Sequence, residues 1–155
     1  MNILFAGTPE PSAKLLQALV KNNNINIIGV ITKPDIAQNR GKKIQQSQVS
    51  FAASETNLPI YKPDNLNSLE FRQTLLQLDF DFLVVAAYGK IIPDWMLESP
   101  KIMSINVHYS LLPKYRGASP IQSGLLNGDK KTGITFIKMS NKLDEGECIQ
   151  KYEIE

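Results

Sequence analysis

Short apolar segments alternate along the chain with segments of helical periodicity, and this alternation limits the possible folds more than any other feature. The apolar segments, several of them rich in β-branched residues, are 2–6, 25–31, 80–87 and 102–108. Between them, apolar side chains recur at helical spacing in segments 8–20, 47–55 and 66–78. Alternation of this kind is typical of a parallel sheet with helices on both faces. The chain is therefore predicted to have an α/β fold.

The last third of the chain continues the alternation. Ser119 followed by Pro120 is typical of a helix start, and Asn127-Gly128 is typical of a helix end. Segments 133–139 and 148–154 then have the patterns of two further strands. Cys148, which opens the second of these strands, is expected to be a small buried residue.

Bulk composition predicts one domain and excludes several classes of function. With 155 residues, of which 43% are hydrophobic, one sizeable core can form. The formal net charge of +2 gives no general attraction to nucleic acid. One cysteine and one histidine exclude an internal disulfide and a Cys/His zinc cluster, and no metal is expected. No apolar segment is long enough to span a bilayer and no leader pattern opens the chain, so a cytoplasmic protein without membrane contact is predicted.

The first strand ends in Gly7-Thr8-Pro9, at the position where doubly wound folds bind ligands. Thr8 is a good N-cap, and Pro9 suits the first helical position. The segment lacks the further glycines of a dinucleotide fingerprint and the lysine of a phosphate loop, which argues against NAD or ATP. From the residues alone, an ordinary helix start and a ligand site are equally good interpretations.

A basic segment at 33–43, KPDIAQNRGKK, contains proline and glycine and is predicted to be an irregular loop. Beside a ligand crevice, Arg40, Lys42 and Lys43 could hold phosphate groups. The other interpretation is a solvated loop, which is the usual role of a charge run and is favoured from the residues alone.

The segment that points most directly to chemistry is 105–117, INVHYSLLPKYRG, at the end of a predicted buried strand. Strand alternation puts Asn106 and His108 on the same face. At the carboxyl end of a parallel strand, such a pair can donate to a developing oxyanion and exchange a proton. A purely structural histidine is the alternative, but the rigid Leu-Leu-Pro turn that follows weakens it.

The loop 141–146, NKLDEG, follows a predicted strand and carries Asp144. This carboxylate could orient the histidine of a neighbouring strand and select its tautomer. Taken alone, however, Asp144 fits an Asp-initiated turn better.

Two segments together resemble the folate-dependent formyltransferase family: INVHYSLLPKYRGASPIQSGLLNGDKKTGIT and, shortly after it, KLDEG. The segments FAGTPEP, TKPD, RGKK and AAYGKIIP are most similar to the branch of that family that formylates methionyl-tRNA. The resemblance extends over essentially all 155 residues. Tyr109 departs from it, because the family usually has a smaller residue there.

The resemblance implies a Rossmann-like, doubly wound and mostly parallel sheet. It also implies formyl transfer from 10-formyltetrahydrofolate to the α-amine of methionine on initiator tRNA, which supports translation initiation. It assigns catalysis to Asn106, His108 and Asp144. It places the folate against Tyr88, Gly89, Ile91, Ile92, Ser110, Leu111, Leu112, Pro113 and Leu143. It places the aminoacyl end of the tRNA near Gly7, Thr8, Pro9 and Glu10, and the acceptor stem near Arg40, Lys42 and Lys43.

The resemblance further implies that residues 1–155 are a catalytic domain that is incomplete at its C-terminal end. The C-terminal β-barrel domain that helps the family bind tRNA is not expected in this chain, and a monomer is expected. Two alternatives stay open. One is a related folate-dependent enzyme that formylates a small amine, such as a sugar nucleotide or glycinamide ribonucleotide. The other is an inactive fragment that binds folate or RNA.

Overall fold

A seven-stranded sheet forms the centre of the structure, a computed structural model that describes residues 1–37, 44–142 and 144–154. The strands are β1 (Asn2–Gly7), β2 (Asn26–Ile31), β3 (Ile36–Ala37), β4 (Ile44–Gln45), β5 (Ile60–Tyr61), β6 (Phe82–Ala86), β7 (Met103–His108), β8 (Thr132–Lys138) and β9 (Cys148–Ile154). The order in the sheet is β5-β2-β1-β6-β7-β8-β9, and β3 pairs separately with β4. The five strands from β5 to β7 are parallel, whereas β8 is antiparallel to both β7 and β9. The prediction of a mostly parallel α/β sheet is confirmed.

Helices cover both faces of this sheet. They are α1 (Glu10–Val20), α2 (Gln48–Glu55), α3 (Leu69–Leu76), α4 (Asp94–Leu97) and α5 (Pro120–Leu126). Helices α1 and α2 pack on one face, where Leu16 and Val49 join the core, and α3 and α4 pack on the other with Phe71 and Met96. Full burial of a side chain such as Leu16 contributes about 2 kcal/mol to stability. Among the described residues, no helix is long and apolar enough to cross a membrane.

Two helices begin later than the sequence pattern indicates. Helix α1 has Pro9 rather than Thr8 as its N-cap. The Thr8 hydroxyl donates to the carbonyl oxygen of Tyr88 at 2.8 Å and accepts no hydrogen bond from an N–H of the helix. Helix α3 begins at Leu69, since the Ser68 side chain accepts a hydrogen bond from the Phe71 N–H and caps the helix there. The earlier apolar residue Leu66 is buried in the core without being helical.

The expectation that Cys148 is buried is wrong, because its side chain is exposed. Strand β9 is the edge of the sheet, and all seven of its residues are exposed. The alternating pattern identified the strand correctly. It could not show that, in the described part of the chain, no helix packs over this edge.

Candidate active site

The carboxyl ends of three neighbouring parallel strands form the edge of the sheet where the candidate residues lie. Strands β1, β6 and β7 are adjacent, with Gly7 opposite Ala86 and Val85 opposite Asn106. The turns after β1 and β6 and the last residues of β7 therefore meet at one edge. Open α/β sheets bind their ligands at edges of this kind.

Asn106, His108 and Asp144 form one polar cluster at this edge. Asn106 Nδ2 donates to Asp144 Oδ1 at 3.2 Å, and His108 Nδ1 lies 3.6 Å from the same oxygen. The side chains of His108 and Asp144 are each 5% exposed, so little water screens their interaction. The structure thus brings together three residues that the sequence singled out, although 38 positions separate Asn106 from Asp144.

The tautomer of His108 is selected by Tyr115 and not by Asp144, contrary to the sequence-based expectation. His108 Nε2 lies 2.8 Å from the carbonyl oxygen of Tyr115. A carbonyl oxygen only accepts, so Nε2 carries a hydrogen. The 3.6 Å distance from Nδ1 to Asp144 Oδ1 is too long for a hydrogen bond. Nδ1 therefore remains the ring atom that can exchange a proton, with a carboxylate facing it.

The loop between β8 and β9 delivers Asp144 to the cluster. Asp144 adopts a positive φ of 51°, and its Oδ2 accepts a 2.7 Å hydrogen bond from the Gly117 N–H. The next residue, Glu145, pairs with Arg116 at 3.0 Å. A side-chain carbon at Gly146 would collide with the Lys138 carbonyl oxygen, so glycine is needed where this loop passes β8. The loop is thus attached both to β8 and to the segment after His108.

The turn after His108 is held mainly by hydrogen bonds to its own backbone. Ser110 is buried, and its hydroxyl donates to the carbonyl oxygen of Lys114 at 2.6 Å. Thr135, also buried, donates to the Ser110 carbonyl oxygen and accepts from the Leu112 N–H. Of the four turn residues predicted to lie near folate, only Pro113 is exposed. Sequence reasoning missed Thr135, because its position opposite His108 depends on the antiparallel register of β7 and β8.

The segment 88–92 combines an exposed apolar side chain with backbone groups that have no partner. Tyr88 and Ile92 are buried, whereas Ile91 is 92% exposed. In the part of the chain that the structure describes, the backbone N–H and C=O groups of Gly89 and Ile91 make no hydrogen bond. Gly89 has a positive φ of 77°, a conformation that favours glycine, and Lys33 packs against it. An apolar surface beside free donors and acceptors is suited to a flat heterocycle.

Gly7 to Glu10 connect β1 to α1 at the same edge. Gly7 is required because a Cβ there would lie 2.9 Å from both the Ala86 carbonyl oxygen and the Ser12 Cβ. Pro9 and Glu10 are exposed, and Glu10 forms a surface ion pair with Lys14 at 2.9 Å. Four predicted site residues lie outside the described residues, namely Arg40, Lys42, Lys43 and Leu143.

Tyr109, the departure from the resemblance, belongs to the core on the α1 side of the sheet. Its ring packs against the cluster that contains Ala13 and Leu16, and burial raises the pKa of its hydroxyl. Strand alternation turns Tyr109 away from the face that His108 occupies. The larger side chain therefore fills space beside α1.

The whole chain, residues 1–155, matches the family model described as formyl transferase. The chain belongs to the formyl transferase family. It is 45% identical over 154 residues to a methionyl-tRNA formyltransferase of Clostridioides difficile, covering 99% of this chain and 50% of that protein. It is 48% identical over 149 residues to one of Buchnera aphidicola, covering 96% of this chain and 46% of that protein. The chain thus spans about half the length of these curated relatives.

Solved structures of formyltransferases share the fold. The phosphoribosylglycinamide formyltransferase of Bacillus halodurans superposes with a TM-score of 0.77 at 18% identity, covering 99% of this chain and 79% of that one. A sugar 3N-formyl transferase, WlaRD, gives a TM-score of 0.63 at 23% identity, covering 99% and 52%. At such identities the likeness concerns the fold alone, and it confirms the Rossmann-like architecture.

Tyr88 makes stability sensitive to alkaline pH. Burial raises the pKa of Tyr88 to about 12, and among the described residues its hydroxyl has no hydrogen-bond partner. The unfolded chain loses the Tyr88 hydroxyl proton near pH 10, whereas the folded chain keeps it until about pH 12. The free energy of unfolding therefore has its full value below pH 10 and falls as the pH rises towards 12. Tyr88→Phe is expected to leave neutral stability unchanged or higher by about 1 kcal/mol and to reduce the alkaline loss. Urea unfolding from neutral pH to about pH 11 measures both effects.

The matched control is Tyr152→Phe, because the Tyr152 side chain is exposed at the sheet edge. This variant should retain the alkaline loss of the wild type. An unchanged alkaline profile in Tyr88→Phe would contradict the assignment.

Proposed function

We propose that this chain carries the catalytic residues for transfer of a formyl group from 10-formyltetrahydrofolate to the α-amine of methionine on initiator tRNA. The observation that carries the proposal is the partly buried cluster of Asn106, His108 and Asp144 at the carboxyl edge of the parallel strands. It occurs in a member of the formyl transferase family whose curated relatives are called methionyl-tRNA formyltransferases. Because the chain spans about half their length, the activity, substrates and partners of the whole protein belong to the proposal.

The folate donor would bind against the segment 88–92, with Pro113 nearby. The free backbone groups of Gly89 and Ile91 suit the donors and acceptors of a pterin ring. The exposed Ile91 side chain offers the apolar surface that such a ring requires. These features support the fit between the residues present and a folate. When bound, the donor supplies an activated formyl group.

The polar cluster would act on the formyl oxygen, which becomes negative as the amine attacks. Asn106 uses one amide hydrogen on Asp144 and retains a second for this oxygen. His108 Nε2 is occupied by the Tyr115 carbonyl oxygen, so Nδ1 is the atom that donates or exchanges a proton. Asp144 faces this atom, with its Oδ1 3.6 Å from Nδ1. The proton lost by the amine would pass through Asp144 and water to the leaving nitrogen, so no net proton is consumed.

The acceptor would approach from the turn after β1. Thr8 is hydrogen-bonded to Tyr88, which fixes this turn beside the proposed folate segment. The exposed Pro9 and Glu10 would then face the aminoacyl end, and the basic residues Arg40, Lys42 and Lys43 would contact phosphates of the acceptor stem. That the protein is a monomer also stays a prediction.

Formyl transfer with different acceptors tests the proposal. The chain is incubated with radiolabelled 10-formyltetrahydrofolate and either charged initiator tRNA, glycinamide ribonucleotide or an amino-sugar nucleotide, under single-turnover conditions. Label is expected on the methionyl-tRNA alone. Formylation of a small amine alone would refute the proposed acceptor. Folate binding without any product would favour the inactive fragment.

Asn106→Ala removes one donor to the developing oxyanion and keeps His108. We expect the single-turnover rate to fall about a hundredfold, corresponding to roughly 3 kcal/mol of transition-state stabilisation, with little change in folate affinity. Asn26→Ala is the matched control, because Asn26 is exposed at the first residue of β2, far from the cluster, and its side chain donates to Asn2 Oδ1. A rate within twofold of the wild type in Asn106→Ala would contradict the oxyanion role.

A further inference from the structure

Tyr115 holds the catalytic-site histidine through its backbone and is itself held through its side chain. Its carbonyl oxygen lies 2.8 Å from His108 Nε2. Tyr115 adopts a left-handed conformation with φ of 57°, which costs a residue with a side chain about 1 kcal/mol or more. This conformation persists only where other contacts hold the residue in place.

The contacts that hold Tyr115 come from the segment that follows α5. The Tyr115 hydroxyl donates to Asp129 Oδ2 at 2.9 Å and accepts from Asn127 Nδ2 at 3.0 Å. Lys114 Nζ lies 3.3 Å from the same Asp129 oxygen. The Tyr115 hydroxyl, followed by Lys114, lowers the pKa of Asp129, so the carboxylate stays charged at neutral pH. We call Tyr115, Asn127 and Asp129 the tyrosine clasp.

We propose that the tyrosine clasp is a positioning device for His108, in which the Tyr115–Asp129 hydrogen bond keeps the Tyr115 carbonyl oxygen on Nε2 and so reserves Nδ1 for proton exchange. The geometry gives a direct chain of contacts from Asp129 to Tyr115 to His108. Without the Tyr115 hydroxyl, the backbone at Tyr115 can leave its left-handed conformation. The His108 ring then loses the Tyr115 carbonyl oxygen, the acceptor that selects its tautomer. The effect on catalysis rests on the proposed function, whereas the effect on the tautomer does not.

The chain contains one histidine, so its ¹⁵N NMR spectrum reports His108 without overlap. In the wild type at a pH where the ring is neutral, we expect hydrogen on Nε2 and none on Nδ1. Tyr115→Phe, which removes only the hydroxyl, is expected to give a measurable fraction of the Nδ1–H tautomer. It should also lower the single-turnover formyl transfer rate roughly fivefold, the equivalent of one ordinary hydrogen bond, with unchanged folate affinity.

Three variants complete the experiment. Tyr152→Phe removes an exposed hydroxyl outside the clasp and should leave spectrum and rate unchanged. Lys114→Ala breaks the ion pair to Asp129 but keeps the Tyr115–Asp129 bond, and it should resemble the wild type. Asp129→Asn keeps an acceptor oxygen and should lie between the wild type and Tyr115→Phe.

A wild-type spectrum in Tyr115→Phe, or an Nδ1–H tautomer in the wild type, would overturn the proposal. If circular dichroism shows that Tyr115→Phe does not fold, Asp129→Ala takes its place. A fraction of the Nδ1–H tautomer in Asp129→Ala would then support the proposal, and a wild-type spectrum would overturn it. If the wild type transfers no formyl group but the tautomer still changes, the positioning role stands and the proposed function fails.

Discussion

Replacement of His108 by alanine is expected to lower the rate of formyl transfer about a thousandfold while leaving folate affinity nearly unchanged. His108 is the only histidine, and it is buried at the sheet edge with Nδ1 facing Asp144. In the described cluster, proton exchange therefore depends on this ring and on the Asp144 carboxylate that faces it. Single-turnover transfer to methionyl-tRNA, measured beside the folate dissociation constant, separates loss of chemistry from loss of binding.

The stability of the His108→Ala variant must be measured as well, because removal of a buried ring leaves a cavity. Its thermal midpoint and its folate affinity show whether the site remains assembled. Partial recovery of the rate on addition of imidazole would support a chemical role for the ring. Turnover at the wild-type rate would exclude His108 as a catalytic residue.

Asp144→Ala is expected to damage both stability and transfer. The carboxylate accepts hydrogen bonds from Gly117 N–H and Asn106 Nδ2 and faces His108. Its removal leaves these partly buried groups without this partner, at a cost of about 3 kcal/mol. The transfer rate should fall at least a hundredfold, since Asn106 and His108 both lose the group that orients them.

Urea unfolding and single-turnover transfer measure the two effects of Asp144→Ala separately. Asp64→Ala is the matched control, because Asp64 is exposed and its carboxylate makes no contact with the cluster. Asp144→Asn keeps an oxygen for the Gly117 N–H and should lose less stability than Asp144→Ala. If both Asp144 variants kept the wild-type rate, Asp144 would be an ordinary turn residue, the alternative that its local sequence favours.

The prediction of fold from sequence succeeded where the signal is local. Periodicity of apolar side chains identified the main strands and α1, because each element must present its apolar side to the core. The same signal missed β3, β4 and β5, which have 2 residues each, and α4, which has 4. Strand β3 lies in the segment that was predicted to be an irregular loop. It also misjudged the burial of Cys148, since exposure of an edge strand depends on what packs over it. The direction of β8 depends on long-range pairing, which no local pattern reports.

The candidate site divides in the same way. The sequence by itself determined that Asn106 and His108 share one face at a strand end, because side chains alternate along any strand. Only the tertiary structure decided that Asp144 reaches them. The loop between β8 and β9 folds back onto the end of β7 and so brings Asp144 to Asn106, from which it is 38 positions away in the sequence. It also decided the tautomer of His108, through a carbonyl oxygen of Tyr115. Every residue carries such a carbonyl group, so its identity as a partner is absent from the sequence and arises only from the conformation of the turn.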